Sequence, residues 1–363
     1  MSSMRDLLAG AVELGASDIH ITPGRSPVLR IHGTLREAEF EPLDAGDLRQ
    51  IADEIVPRHV RHMLETAHEC DFSHVEEGVG RFRVNVFQGK GAPAIAMRYI
   101  QSTIPTLESL NLPPVLLRCV EAPAGIVIIS GTTSSGKSST LAAMVGLING
   151  AQARRIITVE DPVEYEFTDN RSVITQREVG LDTRSYVTGL RQALRQDPDV
   201  ILIGEMRDAE SLRIGILAAE TGHLILTTMH AGSAAQAVPR LLNEFATVDQ
   251  DRIRLAIAAN LHSIICQRLL PTTGGGLMPA VEIMFNTPMV RKLLEENQIG
   301  KIEAAIETDN EGGLHTFDQD IYRLIQEGHV TQRTGLDHAT NREKLRMNLE
   351  GIFLEESHRI LAR

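Results

Sequence analysis

The sequence predicts a two-domain α/β chain: a smaller α+β domain followed by a larger one built on a buried parallel sheet. Three observations carry that reading. Residues 27–35 (PVLRIHGTL) and 81–100 (RFRVNVFQGKGAPAIAMRYI) alternate apolar and polar positions around turn residues, as strands of a half-exposed sheet do, with helical patterns on either side. The segment QSTIPTLESLNLPP then interrupts regular structure at Pro105, Pro113 and Pro114, which puts the boundary near residue 110 and gives domains 1–110 (with the linker) and 111–363. Beyond it come short apolar runs separated by helical stretches: GIVIIS (125–130), RIITVE (155–160), DVILIG (199–204) and HLILTTM (223–229). Parallel strands covered on both faces read this way. From about residue 232 the spacing is mainly helical, with one strand expected at 280–285.

Composition narrows the classes of function. The chain has 363 residues, 42% hydrophobic and 23% charged, enough to bury two cores, and no run approaches the ~18 apolar residues of a membrane span. Its first segment, MSSMRDLLAGAVELGASD, carries Arg5, Asp6 and Glu13 and reads as an amphipathic helix rather than an export signal. Cys70, Cys119 and Cys266 are far apart and odd in number, which fits neither a disulfide framework nor a metal knuckle, so a cytosolic compartment is expected. The net charge of −12 opposes nonspecific attraction to nucleic acid or anionic lipid, and 4% aromatics with no tryptophan leaves little for stacking bases.

The strongest chemical signal is the stretch Gly131, Thr132, Thr133, Ser134, Ser135, Gly136, Lys137, Ser138, a G-x-x-x-x-G-K-S loop that follows an apolar strand and opens the helical pattern SSTLAAMVGLI from Ser138 and Ser139. Glycines at both ends let the loop curl so that successive N–H groups face a polyphosphate, with the positive end of the helix dipole behind them. ATP is the expected ligand. Lys137 is expected to bridge its outer phosphates and Ser138 to ligate Mg²⁺.

Nucleotide chemistry next needs carboxylates at the carboxyl ends of neighbouring strands. In DVILIGEMRD the apolar run leads into Glu205, which is assigned to Mg²⁺, in part through water, whereas Asp199 begins the run and reads as a cap or turn residue. RIITVE leads into Glu160, Asp161, Pro162 and Glu164, an acidic turn forced out of regular structure by the proline. There Glu164 is favoured as general base and Glu160 is the reserve, although acidic turns are also common as solvated loops. His230 stands at the carboxyl end of HLILTTM, where it either senses a γ-phosphate or is a satisfied structural histidine; His223 begins that run and suits an interface or the core. Arg81 and Arg83 share one face of a strand and Arg98 lies on another strand of the same domain, either as a solvated cationic stripe or as a source of transition-state charge neutralisation.

The stretches ASDIHI (16–21), RFRVNVF (81–87), GTTSSGKSS (131–139), TVEDPVEY (158–165), QREVG (176–180), ALRQDPDVILIGEMRD (193–208) and AAETGHLILTTMHAGSA (218–234) resemble the type IV pilus retraction ATPases, the PilT/PilU group of the secretion-type ATPases. The resemblance runs in order along essentially the whole chain. It implies a PAS-like amino-terminal domain, a RecA-like P-loop domain and a homo-hexameric ring that hydrolyses ATP to disassemble pili in twitching motility. It also implies docking from the cytoplasm onto an inner-membrane platform protein, with pilin affected indirectly, a paralogous retraction ATPase as a possible partner and no nucleic acid. The family's acidic-box glutamate matches Glu164, its Walker B glutamate Glu205, its histidines His223 and His230, and its nucleotide-reaching arginines the RFR segment and Arg98.

Several positions depart from the family's pattern. Its usual loop reads GPTGSGKST, where this chain has Thr132, Ser134 and Ser139; its histidine box continues HTNSA or HTTSA, where this chain has Ala231 and Gly232; and its AIRNLI motif stands here as Met289 to Leu294, with Lys292 in place of asparagine. An accessory retraction paralogue with weak or no ATPase activity of its own is therefore the alternative within the family. A nucleotide-binding regulator that joins a ring without hydrolysing is another reading, opposed by Glu164 and Glu205. Pilus assembly and type II secretion ATPases carry a four-cysteine module, whereas only Cys266 lies beyond residue 119 here. A RecA-like nucleic-acid translocase is the alternative of another class, opposed by net acidity and few aromatics.

Overall fold

The structure is a computed structural model that describes residues 3–31, 33–58, 60–206, 208–309 and 312–352. It is α/β and divides into two compact units, Met1–Thr103 with Pro162–Glu166, and Ile104–Asp161 with Phe167–Arg363. The division falls between Thr103 and Ile104, and the acidic turn Pro162–Glu166 belongs to the first unit although its flanks belong to the second.

The first unit is a six-stranded antiparallel sheet. Its strands are β1 (Ala16–Ile21), β2 (Val28–Ile31), β3 (Thr34–Glu37), β4 (Glu69–Glu76), β5 (Gly80–Gly89) and β6 (Ala92–Ile100), in the order β3-β2-β1-β6-β5-β4. β5 shows why the chain pairs this way: Phe82, Val84 and Val86 are fully buried, and the residues between them are half-exposed. Helices Met4–Glu13 and Ala45–Ile55 each start at a capping box, Ser3 with Asp6 and Asp44 with Asp47, and contribute Leu7, Leu8, Leu48 and Ala52 to the core beneath the sheet. β1 and β4 lie in flanks that read as helical by spacing. β1 alternates imperfectly, with both Asp18 and Ile19 buried, and β4 buries only Cys70 and Phe72.

The second unit holds a seven-stranded sheet: β7 (Gly125–Ser130), β8 (Arg155–Glu160), β9 (Val173–Glu178), β10 (Val200–Glu205), β11 (Leu224–Met229), β12 (Leu261–Pro271) and β13 (Leu277–Phe285). The order is β13-β12-β7-β11-β10-β8-β9, parallel throughout except for the β12–β13 hairpin. All six residues of β7 and of β11 are buried, as strands of a sheet covered on both faces are, and the polar Ser130, Thr227 and Thr228 fall toward their carboxyl ends. Helices cover it, among them Lys137–Ala151, Ala209–Glu220 and Ala234–Asn243.

The last quarter is mainly helical and holds the strand expected at 280–285 within Leu277–Phe285, but the expectation of a single strand there needs correction. Leu261–Pro271 is an eleven-residue strand that pairs β7 on one side and β13 on the other, so the phosphate-loop strand is interior rather than near an edge. Cys70, Cys119 and Cys266 are free and buried; burial pushes the Cys119 thiol up to about 11 and raises the other two. Among the described residues no helix is long and apolar enough to cross a membrane.

Candidate functional site

Parallel strands deliver their carboxyl ends to one edge of a sheet, and here the register fixes which residues arrive together. Ser130 of β7 pairs with Met229 of β11, Thr228 of β11 with Glu205 of β10, and Ile203 of β10 with Val159 of β8. The next residues in line are Gly131, His230 and Glu160. Ser130 Oγ fixes the junction by accepting from Ala231 N at 2.8 Å and donating to Ala231 O at 3.0 Å.

From Ser130 the chain enters the loop Gly131–Gly136 and then the helix Lys137–Ala151. Gly136 is the N-cap residue, with φ +90° and no side-chain cap, so the first N–H groups of the helix meet no capping side chain. A Cβ at Gly131 would lie 2.5 Å from Gln267 O, and one at Gly136 would lie 2.7 Å from Gln267 Nε2; only glycine fits at either place. Ser134 adopts φ +62°, the left-handed conformation in which the family's pattern has glycine. An L-residue there costs roughly 1–2 kcal/mol. Thr132, Thr133 and Ser134 are exposed on the loop, while Ser138 and Ser139 are half-buried in the first helical turn. Lys137 Nζ donates to Gly131 O at 3.0 Å and Thr132 O at 2.7 Å, which lays the ammonium along the loop.

These features fit the phosphates of a nucleotide. The loop curls through a left-handed residue and two obligatory glycines, an uncapped helix start lies behind it, and Ser135 Oγ is buried there without a hydrogen-bond partner among the described residues. Ser138 and Glu205 are the residues that would hold Mg²⁺, whose chemistry when bound is to neutralise charge on the phosphates.

His230 joins the loop to the neighbouring carboxylate. Its Nδ1 lies 3.1 Å from Gly131 O and its Nε2 lies 3.6 Å from Glu205 Oε1, with Glu205 16% exposed. A cavity of about 700 Å³ opens beside the loop, lined by Gly131, Thr132, Thr133, His230, Gln236 and Arg240 among others. A second, of about 340 Å³, is lined by Glu205, His230, Arg240 and Glu244 among others.

Glu160 is the last residue of β8 and is buried, its Oε1 accepting from Thr158 Oγ1 at 2.6 Å and Gln176 Nε2 at 3.3 Å. Asp199 Oδ2 accepts from Arg155 N at the start of β8, and His223 Nδ1 lies 2.8 Å from Ala218 O at the start of β11; both are at the other edge of the sheet. Arg207 of the GEMRD stretch lies outside the described residues.

The second unit therefore brings together the phosphate loop, Glu160, Glu205 and His230. Glu164 and the three arginines belong to the first unit, where Tyr165 bridges to Gln101. Arg83 and Arg98 are direct cross-strand partners, and the three guanidinium groups face polar groups of that unit. Arg98 Nε donates to Asp18 Oδ1 at 2.8 Å, Arg83 Nε lies 3.8 Å from Asp71 Oδ1, and Arg81 Nη2 donates to Ser73 Oγ at 3.2 Å.

Sequence reasoning missed Gln267. It lies on β12, is 3% exposed, accepts from Thr140 Oγ1 at 2.8 Å and backs both glycines of the loop. A glutamine amid the apolar LHSIICQRLLP was the available signal.

Comparison with known proteins gives consistent relatives. The sequence pattern of the family described as Type II/IV secretion system protein matches residues 2–276. A protein of Pseudomonas aeruginosa named "Type IV pilus retractation ATPase PilT" is 38% identical over 92% of this chain and 97% of its own. The same organism's "Type IV pilus ATPase PilU" is 36% identical over 95% of this chain and 90% of its own. The crystal structure of the pilus retraction motor PilT with bound ADP superposes with a TM-score of 0.89 at 36% identity, covering 95% of this chain and 99% of that one.

Proposed function

Because the chain belongs to the Type II/IV secretion system protein family, we propose that it is the ATP-hydrolysing motor of type IV pilus retraction, driving pilus disassembly and twitching motility. It is a nucleotide-binding ATPase of that family. The observation that carries the retraction reading is the match to PilT along nearly the whole of both chains, with Lys137, Ser138, Glu205 and His230 gathered at one sheet edge.

In this reading Thr132 to Ser139 hold the ATP phosphates, and Ser138 and Glu205 hold Mg²⁺, partly through water. Glu164 is the general base with Glu160 in reserve, His230 contacts the γ-phosphate, and Arg81, Arg83 and Arg98 supply positive charge. The motor is a homo-hexamer that acts from the cytoplasm as a peripheral protein at a bacterial inner membrane. It docks on a pilus platform protein, has a paralogous retraction ATPase as a candidate partner, affects pilin indirectly and uses no nucleic acid. The left-handed Ser134 and the small Ala231 and Gly232 support the second reading, an accessory paralogue with weak turnover.

Steady-state Mg-ATP hydrolysis by the full chain and by Glu164→Gln, with and without DNA, tests these assignments. DNA-independent turnover that falls by about two orders of magnitude or more in the variant is expected. Unchanged turnover in the variant removes Glu164 from the reaction. No turnover in the unmodified chain despite nucleotide binding favours the accessory role, and stimulation by DNA turns the reading toward a translocase.

A further inference from the structure

We propose that Arg240 reads the terminal phosphate of a bound nucleoside triphosphate and so distinguishes ATP from ADP. The inference rests on the ATPase reading and adds a residue that neither the motifs nor the resemblance singled out.

The helix Ala234–Asn243 runs beside the phosphate loop. Ser233 caps it, its hydroxyl accepting from Gln236 N, and Ala234, Ala237, Val238, Leu241 and Leu242 are buried in one stripe. Burying that stripe turns Gln236, Arg240 and Asn243, spaced by four and three residues, to the opposite side. All three line the larger cavity beside the phosphate loop. The helix direction is thus dictated by its apolar residues, and Arg240 is where it is because of them.

Arg240 also lines the smaller cavity with Glu205 and Glu244. Only two of the described residues, His230 and Arg240, line both spaces. They stand where the loop side of the site meets the Glu205 side. Around the larger cavity, Arg240 is the one permanently charged side chain among the described residues. It is exposed, and among the described residues it forms no ion pair, even though two carboxylates line the smaller cavity with it. Lys137, the other cation here, is directed along the loop by the carbonyls of Gly131 and Thr132.

A guanidinium without a carboxylate partner, facing an open cavity, is suited to planar bidentate binding of a phosphate. The loop amides and the helix start serve the phosphates shared by ADP and ATP. The third phosphate adds charge toward His230 and Glu205, and that is the part of the site Arg240 shares.

The test measures equilibrium affinities of the full chain for ADP and for AMP-PNP, a nonhydrolysable triphosphate, by titration calorimetry. Arg240→Ala should weaken AMP-PNP binding about tenfold or more while ADP binding changes by less than about twofold. Arg240→Lys should recover part of the loss, because the charge remains but the bidentate fork does not. If Arg240→Ala does not fold, as judged by its melting profile, Arg240→Gln keeps the packing of the stem and carries the same expectation. Equal losses for both nucleotides, or none for either, overturn the proposal while leaving the ATPase reading intact. Failure of the unmodified chain to bind either nucleotide overturns both.

Discussion

Thr140 donates its hydroxyl to Gln267 Oε1 over 2.8 Å, tying the second turn of the phosphate-loop helix to β12 from beneath. Thr140 also donates to Gly136 O at 3.1 Å, and Gln267 Nε2 lies close to Gly136, so helix, loop and strand meet at one buried point. Gln267→Leu keeps the volume but removes the acceptor and the amide. It should destabilise the fold by about 1–3 kcal/mol, and nucleotide affinity should fall with it. Thermal melts with and without ADP check this: a variant with unchanged melting and unchanged ADP stabilisation would show that Gln267 supports neither.

His230 faces Gly131 with one ring nitrogen and Glu205 with the other. His230→Ala should lower the hydrolysis rate about 10- to 100-fold. Because the ring is 34% exposed, stability should change by less than about 1 kcal/mol. Paired kinetic and melting measurements separate the two effects, and a large stability loss with normal turnover would make the histidine structural.

Ser134 offers a gain rather than a loss. Ser134→Gly relieves the left-handed strain, and the greater freedom of glycine in the unfolded chain offsets part of that, leaving a net stabilisation below about 1 kcal/mol. Turnover should rise as the loop adapts more readily to phosphate. A fall in turnover would mean that the serine side chain contributes to the reaction.

Glu282 predicts a pH dependence. Burial pushes its carboxyl up to about 7, opposed by the hydrogen bond it accepts from Ala234 N at 2.7 Å, at the start of the helix that carries Arg240. The folded chain therefore holds this proton where the unfolded chain releases it. Stability falls as pH rises from about 4.5 to about 7 and is flat in this respect above that, a change on the order of 3 kcal/mol. Glu282→Gln keeps an acceptor for Ala234 and should remove the slope. Denaturant melts at pH 5 and pH 8 check it, and an identical slope in the variant would place the titration elsewhere.

How much was legible depends on whether each residue's role is local. GIVIIS and HLILTTM were readable because a strand buried on both faces is mostly apolar along its length, with Ser130, Thr227 and Thr228 the buried polar exceptions, and the phosphate loop because its glycines and lysine act within eight residues. β12 was not, since Ile264, Ile265, Cys266, Leu269 and Leu270 fit a helical spacing as well as a strand. Glu160 reads as part of an acidic turn, yet β8 continues through it and Thr158 and Gln176 bind its carboxylate. The partners of Gln267 lie more than a hundred residues away in sequence, and no local pattern encodes them. The membership of Pro162–Glu166 in the first unit is likewise invisible until the chain is folded.

The place of β12 in the sheet has a consequence for the birth of the protein on the ribosome. β7 emerges early, but one of its two neighbours is not made until Leu261–Pro271, after an interval on the order of ten seconds at ordinary rates of synthesis. During that time the loop lacks the glutamine behind its glycines, and an apolar strand has an open side on which other nascent chains can pair. The nucleotide cradle is thus among the last parts of the sheet to be completed, and a chain interrupted before Gln267 would be a candidate for chaperones rather than for ATP.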